Sequence, residues 1–206
     1  LSYRLLDTIS SLYSINRLAG YLQSLGHKIP KASVSSYLEW FEDAYFLFTV
    51  RLFDSSLTRS KNAPKKIYSI DHAFVTSIAS GLLINSGHLL ENLVFIALRR
   101  LSPSIYYYKT KSSREVDFLC QTQNRSKILI QVCESLSSEE TKKREVLALS
   151  EAMEELNLQS SFLITRYEDE QLILGEKTIH IIPVWRFLLE ESLEALTNES
   201  DSYGKN

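Results

Sequence analysis

SSREVDFLCQTQNRSKILIQVCES, residues 112–135, carries two strand-like runs on either side of a short polar turn. EVDFLCQT (115–122) and KILIQVCE (127–134) are rich in β-branched and large apolar residues. Asn124 and Arg125 lie in the turn between them, so an antiparallel hairpin is the simplest arrangement. Side chains alternate along a strand, which puts Glu115 and Asp117 on one face and Gln131 and Cys133 on one face. In the hairpin, position 117 comes close to opposite 131–133, so these polar groups can converge. The same spacing also suits Glu115 and Asp117 on the wet face of a half-exposed strand.

IYYYKT (105–110) is a third strand before the hairpin. SGHLLENLVFIALRRL (86–101) reads as a helix with Ser86 as its N-cap. Residues 137–157 read as a long helix. Ser137 and Glu140 fit a capping box there, and Val146, Leu149, Met153 and Leu156 mark its buried stripe. SSFLIT (160–165) is a further strand. LIL (172–174) and IHIIPV (179–184) form a hairpin, and a last helix runs from Trp185 to Leu196. Residues 197–206 are polar and expected to be a mobile tail. A helix, a three-strand meander, a helix and a crossed-over strand make up the core order of the PD-(D/E)XK nuclease fold.

The N-terminal part reads differently. A helix over 2–13 places Leu5, Leu6, Ile9 and Leu12 on one side. Asn16 opens a second helix that Gly26 stops. Over 28–46, Val34, Leu38, Phe41 and Tyr45 fall at helical spacing. Strands at 46–53 and 65–71 then flank the polar loop DSSLTRSKNAP. Three short helices followed by strand–loop–strand is the winged-helix pattern. The expected fold class is therefore α+β/α/β, with a winged helix-turn-helix domain over 1–75 and a PD-(D/E)XK-like mixed sheet flanked by helices over 76–196.

Composition narrows the classes. The chain has 206 residues, 44% of them hydrophobic, with only 6 Gly and 4 Pro, so it can bury a sizeable core without long linkers. Two cysteines, Cys120 and Cys133, are too few for a disulfide scaffold and fit a reducing cytoplasm. No apolar run approaches the roughly 20 residues of a membrane span, and no signal peptide opens the chain. It begins at Leu1, which fits a piece of a longer protein. The net charge is −2, unevenly spread: residues 1–75 hold 9 Lys/Arg and 6 Asp/Glu, residues 76–206 hold 14 and 19.

Phosphodiester cleavage in the nuclease fold needs carboxylates for Mg²⁺ or Mn²⁺ and a cation, usually Lys, to stabilise developing charge. Glu91 is one candidate. Its helical neighbours are His88, Val94, Phe95 and Leu98, and a carboxylate in so apolar a stripe needs a partner, a metal or an opening to solvent. The alternative is a Glu at the stripe's edge that pairs with Arg or reaches water. Asp117 is the second candidate. The four His residues lack HxxxH or HExxH spacing, so zinc is not expected. Neither cysteine has the context of a nucleophile, and a free, half-buried thiol is the simpler expectation.

Several separated blocks occur in the order found in a large set of bacterial and archaeal AAA+ ATPases, whose C-terminal region is catalogued as a domain of unknown function. They are YLEWFEDAYFLF (37–48), KKIYSIDHAF (65–74), LLENLVFIALRR (89–100), IYYYKTKSSREVDFL (105–119), ILIQVCESL (128–136), TKKREVLALSEAMEEL (141–156) and PVWRFLL (183–189). The chain resembles that region from about residue 2 to 190. The resemblance implies a winged helix followed by a PD-(D/E)XK-like domain, normally preceded in the same polypeptide by an ATPase module. No GxxxxGK[ST] occurs here, so no P-loop is expected in this chain. By the same resemblance Glu91 and Asp117 match the helix acid and the first strand acid. Gln131 and Cys133 stand where Glu-x-Lys is required. A neutral amide is a weaker Mg²⁺ ligand than a carboxylate, and a thiol offers no fixed positive charge. Lys142 and Lys143 could supply one from the next helix, but with Arg144 and Glu145 beside them a solvated helix face is the simpler reading. The expected core is thus degenerate, Glu91, Asp117, Gln131 and Cys133 marking its site, with Mg²⁺ or Mn²⁺ held by Glu91 and Asp117 if by anything. The alternatives are an active Mg²⁺-dependent DNA nuclease and a protein-interaction or regulatory module.

Arg51, Arg59, Lys61, Lys65 and Lys66 cluster in and beside the loop between the first two strands, and Lys28 and Lys31 precede the third helix. Such groups suit phosphate contacts with DNA, which give salt-dependent affinity without sequence choice. Glu39, Glu42 and Asp43 on the third helix oppose that role unless they point away; packing against a neighbouring module is the competing use.

Overall fold

The computed structural model describes residues 1–78, 85–122 and 125–193; the expected tail at 197–206 and the turn residue Asn124 lie outside them. The chain divides into two compact units, Leu1–Leu93 and Val94–Asn206. It has a mixed α/β fold with a large mixed sheet and helices. Among the described residues no helix is long and apolar enough to cross a membrane.

The first unit opens with α1 (Ser2–Leu6), β1 (Leu12–Tyr13), α2 (Ile15–Ser24) and α3 (Lys31–Asp43). The helix expected over 2–13 stops after Leu6. Ser10 turns the chain at φ 60 and donates its backbone N–H to Ile67 O at 2.7 Å, which lets Leu12 and Tyr13 join a sheet. The apolar spacing at Leu5, Leu6 and Ile9 still reports burial correctly. Ser14 caps α2 by accepting from Arg17 N–H. Gly26, at φ +87, follows the end of α2, and His27 N–H returns to Leu22 O at 3.0 Å, as a glycine stop predicts.

β2 (Leu47–Leu52) and β3 (Lys65–Ser69) are antiparallel, with Val50 opposite Lys66, and β1 pairs the other side of β3. The polar connection between β2 and β3 holds a short helix, α4 (Leu57–Asn62). Ser56 caps it, and Ser60 Oγ donates to Leu52 O at 2.6 Å. α5 (His72–Ile78) follows β3, in a stretch where the sequence gives no such signal. Leu5, Leu6, Leu18, Leu22, Val34, Leu38, Leu47 and Ile67 form this unit's core.

α6 (Ser86–Leu101) contains the boundary between the units. Its cap is Asn85, whose Oδ1 accepts from Gly87 N–H at 3.0 Å, rather than Ser86. The second unit continues with β4 (Ser104–Lys109), β5 (Glu115–Gln121), β6 (Lys127–Val132), α7 (Glu139–Leu156), β7 (Ser160–Thr165), β8 (Glu170–Leu174), β9 (Lys177–Pro183) and α8 (Val184–Leu189). Its strands run in the order β4-β5-β6-β7-β9-β8. The first three form an antiparallel meander; β6, β7 and β9 are parallel; β8 is an antiparallel edge. A parallel step needs a crossover, and α7 supplies it between β6 and β7 while packing on β5, β6 and β7. Its N-cap is Ser138, accepting from Thr141 N–H, in place of the expected Ser137–Glu140 box. Asn157 closes it in the left-handed region at φ 54. The buried stripe of α7 is Glu145, Ala148, Leu149, Ala152 and Met153, rotated from the expected one.

Candidate functional site

Glu91 belongs to the first unit, on α6. Position 91 is buried, and an isolated carboxylate there would lose its hydration with no return. It has partners: Lys66 Nζ donates to Oε1 at 3.0 Å and the Tyr68 hydroxyl donates to the same oxygen at 2.7 Å. Lys66 is only 2% exposed. That corrects its expected place among solvent-facing phosphate contacts: its ammonium is turned inward. The next residue of α6 repeats the pattern in neutral form. Asn92 Oδ1 accepts from Ser69 N–H at 2.8 Å and its Nδ2 donates to Ser69 O at 3.1 Å. Together these bonds fasten α6 to β3.

Asp117 belongs to the second unit. The register Phe118–Ile130 carried one step on sets Asp117 opposite Gln131, as the alternation predicts. Both are buried, so Asp117 is not on a wet strand face. Asp117 N–H donates to Gln131 Oε1 at 3.0 Å, and Val132 N–H donates to Asp117 Oδ2 at 3.0 Å. Gln131 Nε2 donates to Glu145 Oε2 at 2.8 Å. Arg144 closes the chain through Nε and a terminal nitrogen on Glu145 Oε1, at 3.0 and 2.6 Å. Only one orientation of the Gln131 amide satisfies both an N–H and a carboxylate.

Glu145 is 7% exposed and so departs from the solvated face expected there, while Lys143 and Arg144 remain exposed. The signal was present in the sequence. Ala148, Leu149 and Ala152 mark a close-packed stripe, and Glu145 stands three, four and seven residues before them. Arg144 is also close enough to Cys133 for its charge to act on the thiol. A Glu at 131 would face the Glu145 carboxylate directly. Gln131 and Glu145 therefore belong together, one donating where the other accepts.

Cys133 lies just past β6, half-buried, with Sγ 3.3 Å from Ser135 O. Burial pushes its thiol above the ordinary range, so it is a poor nucleophile at neutral pH. Cys120 is fully buried and pushed up to about 12 for the same reason. Past Cys133, Glu134 pairs with Arg166 through Nε, and again through a terminal nitrogen at 3.1 Å; Glu168 Oε1 accepts from Ser135 Oγ and Leu136 N–H, both at 2.8 Å. Glu115, at the outer end of β5, pairs with Lys109 at 3.7 Å.

This donor set does not suit Mg²⁺ or Mn²⁺. Glu91 shares one oxygen with an ammonium and a phenol. Asp117 caps a backbone N–H, Gln131 is neutral, and Glu145 is held by Arg144. Among the described residues no group of three or more His, Cys, Asp and Glu is placed to hold a metal ion. His180 stacks on Phe162 and meets Gln171 through Nδ1 at 3.0 Å.

The remaining basic candidates divide. Lys28, Lys31, Arg51 and Lys61 are exposed, and Lys65 is half-buried. Arg59 is exposed but pairs with Asp54 at 3.2 Å. On α3, Glu42 turns toward β2, where its Oε1 accepts from Thr49 N–H at 2.8 Å and Thr49 Oγ1 at 2.6 Å. Glu39 and Asp43 stay exposed, with Trp40 beside them at 61% exposure.

Residues 86–187 match the family model described as "Domain of unknown function (DUF4143)". An uncharacterized protein of Methanocaldococcus jannaschii is 34% identical over 195 residues, covering 90% of this chain and 42% of the relative. The chain thus spans about two-fifths of that relative's length. No solved structure matches it.

Proposed function

We propose that this chain is a nucleic-acid-contacting, non-cleaving region of a longer prokaryotic ATPase polypeptide. In this reading the first unit is a winged helix and the second a PD-(D/E)XK-like domain whose metal chemistry has been replaced. Three helices followed by the β2–β3 hairpin support the first part. The β4–β5–β6 meander, α7 and parallel β7 support the second. The observation that carries the loss of cleavage is the Lys66–Glu91 pair at 3.0 Å: the helix acid is already neutralised. That the relative is more than twice as long as its matched part supports a larger polypeptide around this one.

Two assays on the full chain test the proposal. Plasmid and single-stranded DNA with Mg²⁺ or Mn²⁺ should stay intact. Cleavage that Asp117→Ala abolishes would establish an active nuclease instead. Duplex binding should weaken steeply as NaCl rises, because phosphate contacts release counterions. Binding indifferent to salt removes nucleic acid from the reading.

One observation favours a second use of the first unit. Trp40 lies exposed on α3 with its ring 5.4 Å from that of Tyr37, between the acids Glu39 and Asp43. An exposed aromatic among acids suits a protein partner better than a phosphate backbone. Trp40→Ala that abolishes protein capture and spares DNA binding would assign α3 to that role.

A further inference from the structure

Three side chains stand in a row across β1, β3 and β2. Tyr13 is directly opposite Lys65, and the Val50–Lys66 register carried one step on sets Arg51 opposite Lys65 from the other side. Opposite partners in an antiparallel ladder share a face, with Cβ atoms about 4.5–5.5 Å apart. All three can donate hydrogen bonds. Among the described residues neither Lys65 nor Arg51 makes an ion pair or side-chain hydrogen bond.

Tyr13 is 6% exposed, and its hydroxyl is buried without a hydrogen-bond partner. Burial pushes the Tyr13 phenol above its ordinary range, and the Thr49 hydroxyl, which donates to Glu42, lies close enough to offset this slightly without meeting hydrogen-bond geometry with Tyr13. A buried polar group left unmatched is costly, and native proteins rarely keep one without reason. Burial and the Arg51 charge both hold Lys65 below the ordinary lysine range, as expected of a half-buried cation beside a second cation.

We propose that the Tyr13–Lys65–Arg51 row is an oxyanion site that holds a single backbone phosphate of a nucleic acid. The inference rests on the nucleic-acid reading above and adds to it the place of one contact and a role for a buried tyrosine. A phosphate supplies several acceptor oxygens, so it can take one donor from each member of the row. The acids facing the row are Glu42 and Glu39 of α3. Glu42 is engaged by Thr49 at 2.6 and 2.8 Å, and neither acid bonds to the two cations among the described residues. Their charge limits the row to one phosphate instead of a run of them. Lys66, although adjacent in sequence, takes no part, because it faces Glu91.

The test is duplex binding by the full chain, measured as log K against log [NaCl] on a mixed-sequence 20-base-pair DNA. Lys65→Gln and Arg51→Gln combined should flatten the slope by about 0.9, the one counterion that a single phosphate releases, and each alone by a part of that, while Lys65→Arg keeps it. Tyr13→Phe should weaken binding about three- to ten-fold and leave the slope unchanged, since a neutral hydroxyl displaces no counterion. Retained thermal midpoints separate these effects from misfolding. If the parent chain binds duplex with a steep salt slope but Lys65→Gln and Arg51→Gln leave that slope unchanged, the row is not the phosphate site and the broader reading stands. If the parent shows no salt-dependent binding, that reading falls and this one with it. If poly-glutamate binds more tightly than DNA and the same variants lose it, the row takes protein carboxylates and the phosphate assignment is overturned.

Discussion

Glu91 in the first unit and Asp117 in the second are both buried acids, satisfied in opposite ways. Glu91 is met by a full charge, with the Lys66 ammonium at 3.0 Å and a phenol in support. Asp117 accepts from the Val132 backbone N–H, and its own N–H joins a polar chain that runs through Gln131 to Glu145 and Arg144. The first arrangement is an ion pair out of water, in which each member depends on the other. The second is a polar chain whose far end, Arg144, reaches solvent. Both keep a carboxylate inside the fold. In the first, removing one side chain takes an ammonium directly from the acid; in the second, the guanidinium acts on Glu145 instead of Asp117.

That contrast sets the order of expected effects. Lys66→Met should be the most damaging change, costing about 3–5 kcal/mol, because Glu91 is left buried without its ammonium. Adding Glu91→Leu should recover most of the loss, and chemical denaturation of the two variants side by side measures it. If Lys66→Met alone is harmless, Glu91 has become neutral or has reached water, and the contrast collapses.

Gln131→Glu comes next. It sets a second carboxylate against Glu145, so the pair's folded pKa rises above the unfolded value of about 4.3. The penalty is absent below that value and grows as pH climbs toward the folded pKa, by about 1.4 kcal/mol for each pH step of one. Denaturation midpoints of variant and parent should therefore converge near pH 4 and separate at pH 7. Equal stability at both values would mean that Gln131 and Glu145 are not coupled.

The smallest effect lies further along α7. Glu151 accepts from Ser112 Oγ, from Arg114 Nε at 2.9 Å and from Thr110 Oγ1 at 3.1 Å, clamping the β4–β5 connection. The Ser112 hydrogen bond first, then Arg114, holds its carboxyl below the ordinary range. Its stabilising share is thus complete above the unfolded carboxylate value and fades as pH falls through the lower folded one. Glu151→Gln should show little change at pH 7, less acid sensitivity than the parent, and faster amide exchange at 110–114. An unaltered exchange pattern there removes the clamp.

Period-two alternation was enough to put Asp117 and Gln131 face to face, because β5 and β6 form a regular hairpin. It failed on β3, where Lys66, Ile67, Tyr68 and Ser69 are all buried. With both faces of the strand covered, a lysine can point inward wherever a distant residue meets it. Glu91 is 25 positions on, beyond any local pattern. Glu145 was hidden for another reason. It sits in KKRE, four charged residues that look like a solvated turn of helix, and only the small residues at 148 and 152 reveal which way it points. The end of α1 was illegible because the bond that diverts it, from Ser10 to Ile67, crosses 57 residues of sequence.

Lys66 is also a competitor for Glu91 that the chain carries with it. A dissolved Mg²⁺ ion must be captured from dilute solution and stripped of part of its water. The ammonium is delivered by folding itself and stays at hydrogen-bond distance whatever the buffer contains. Dilution, dialysis and chelators cannot wash such a partner out, and a dissolved cation approaching Glu91 meets a rival whose effective concentration never falls.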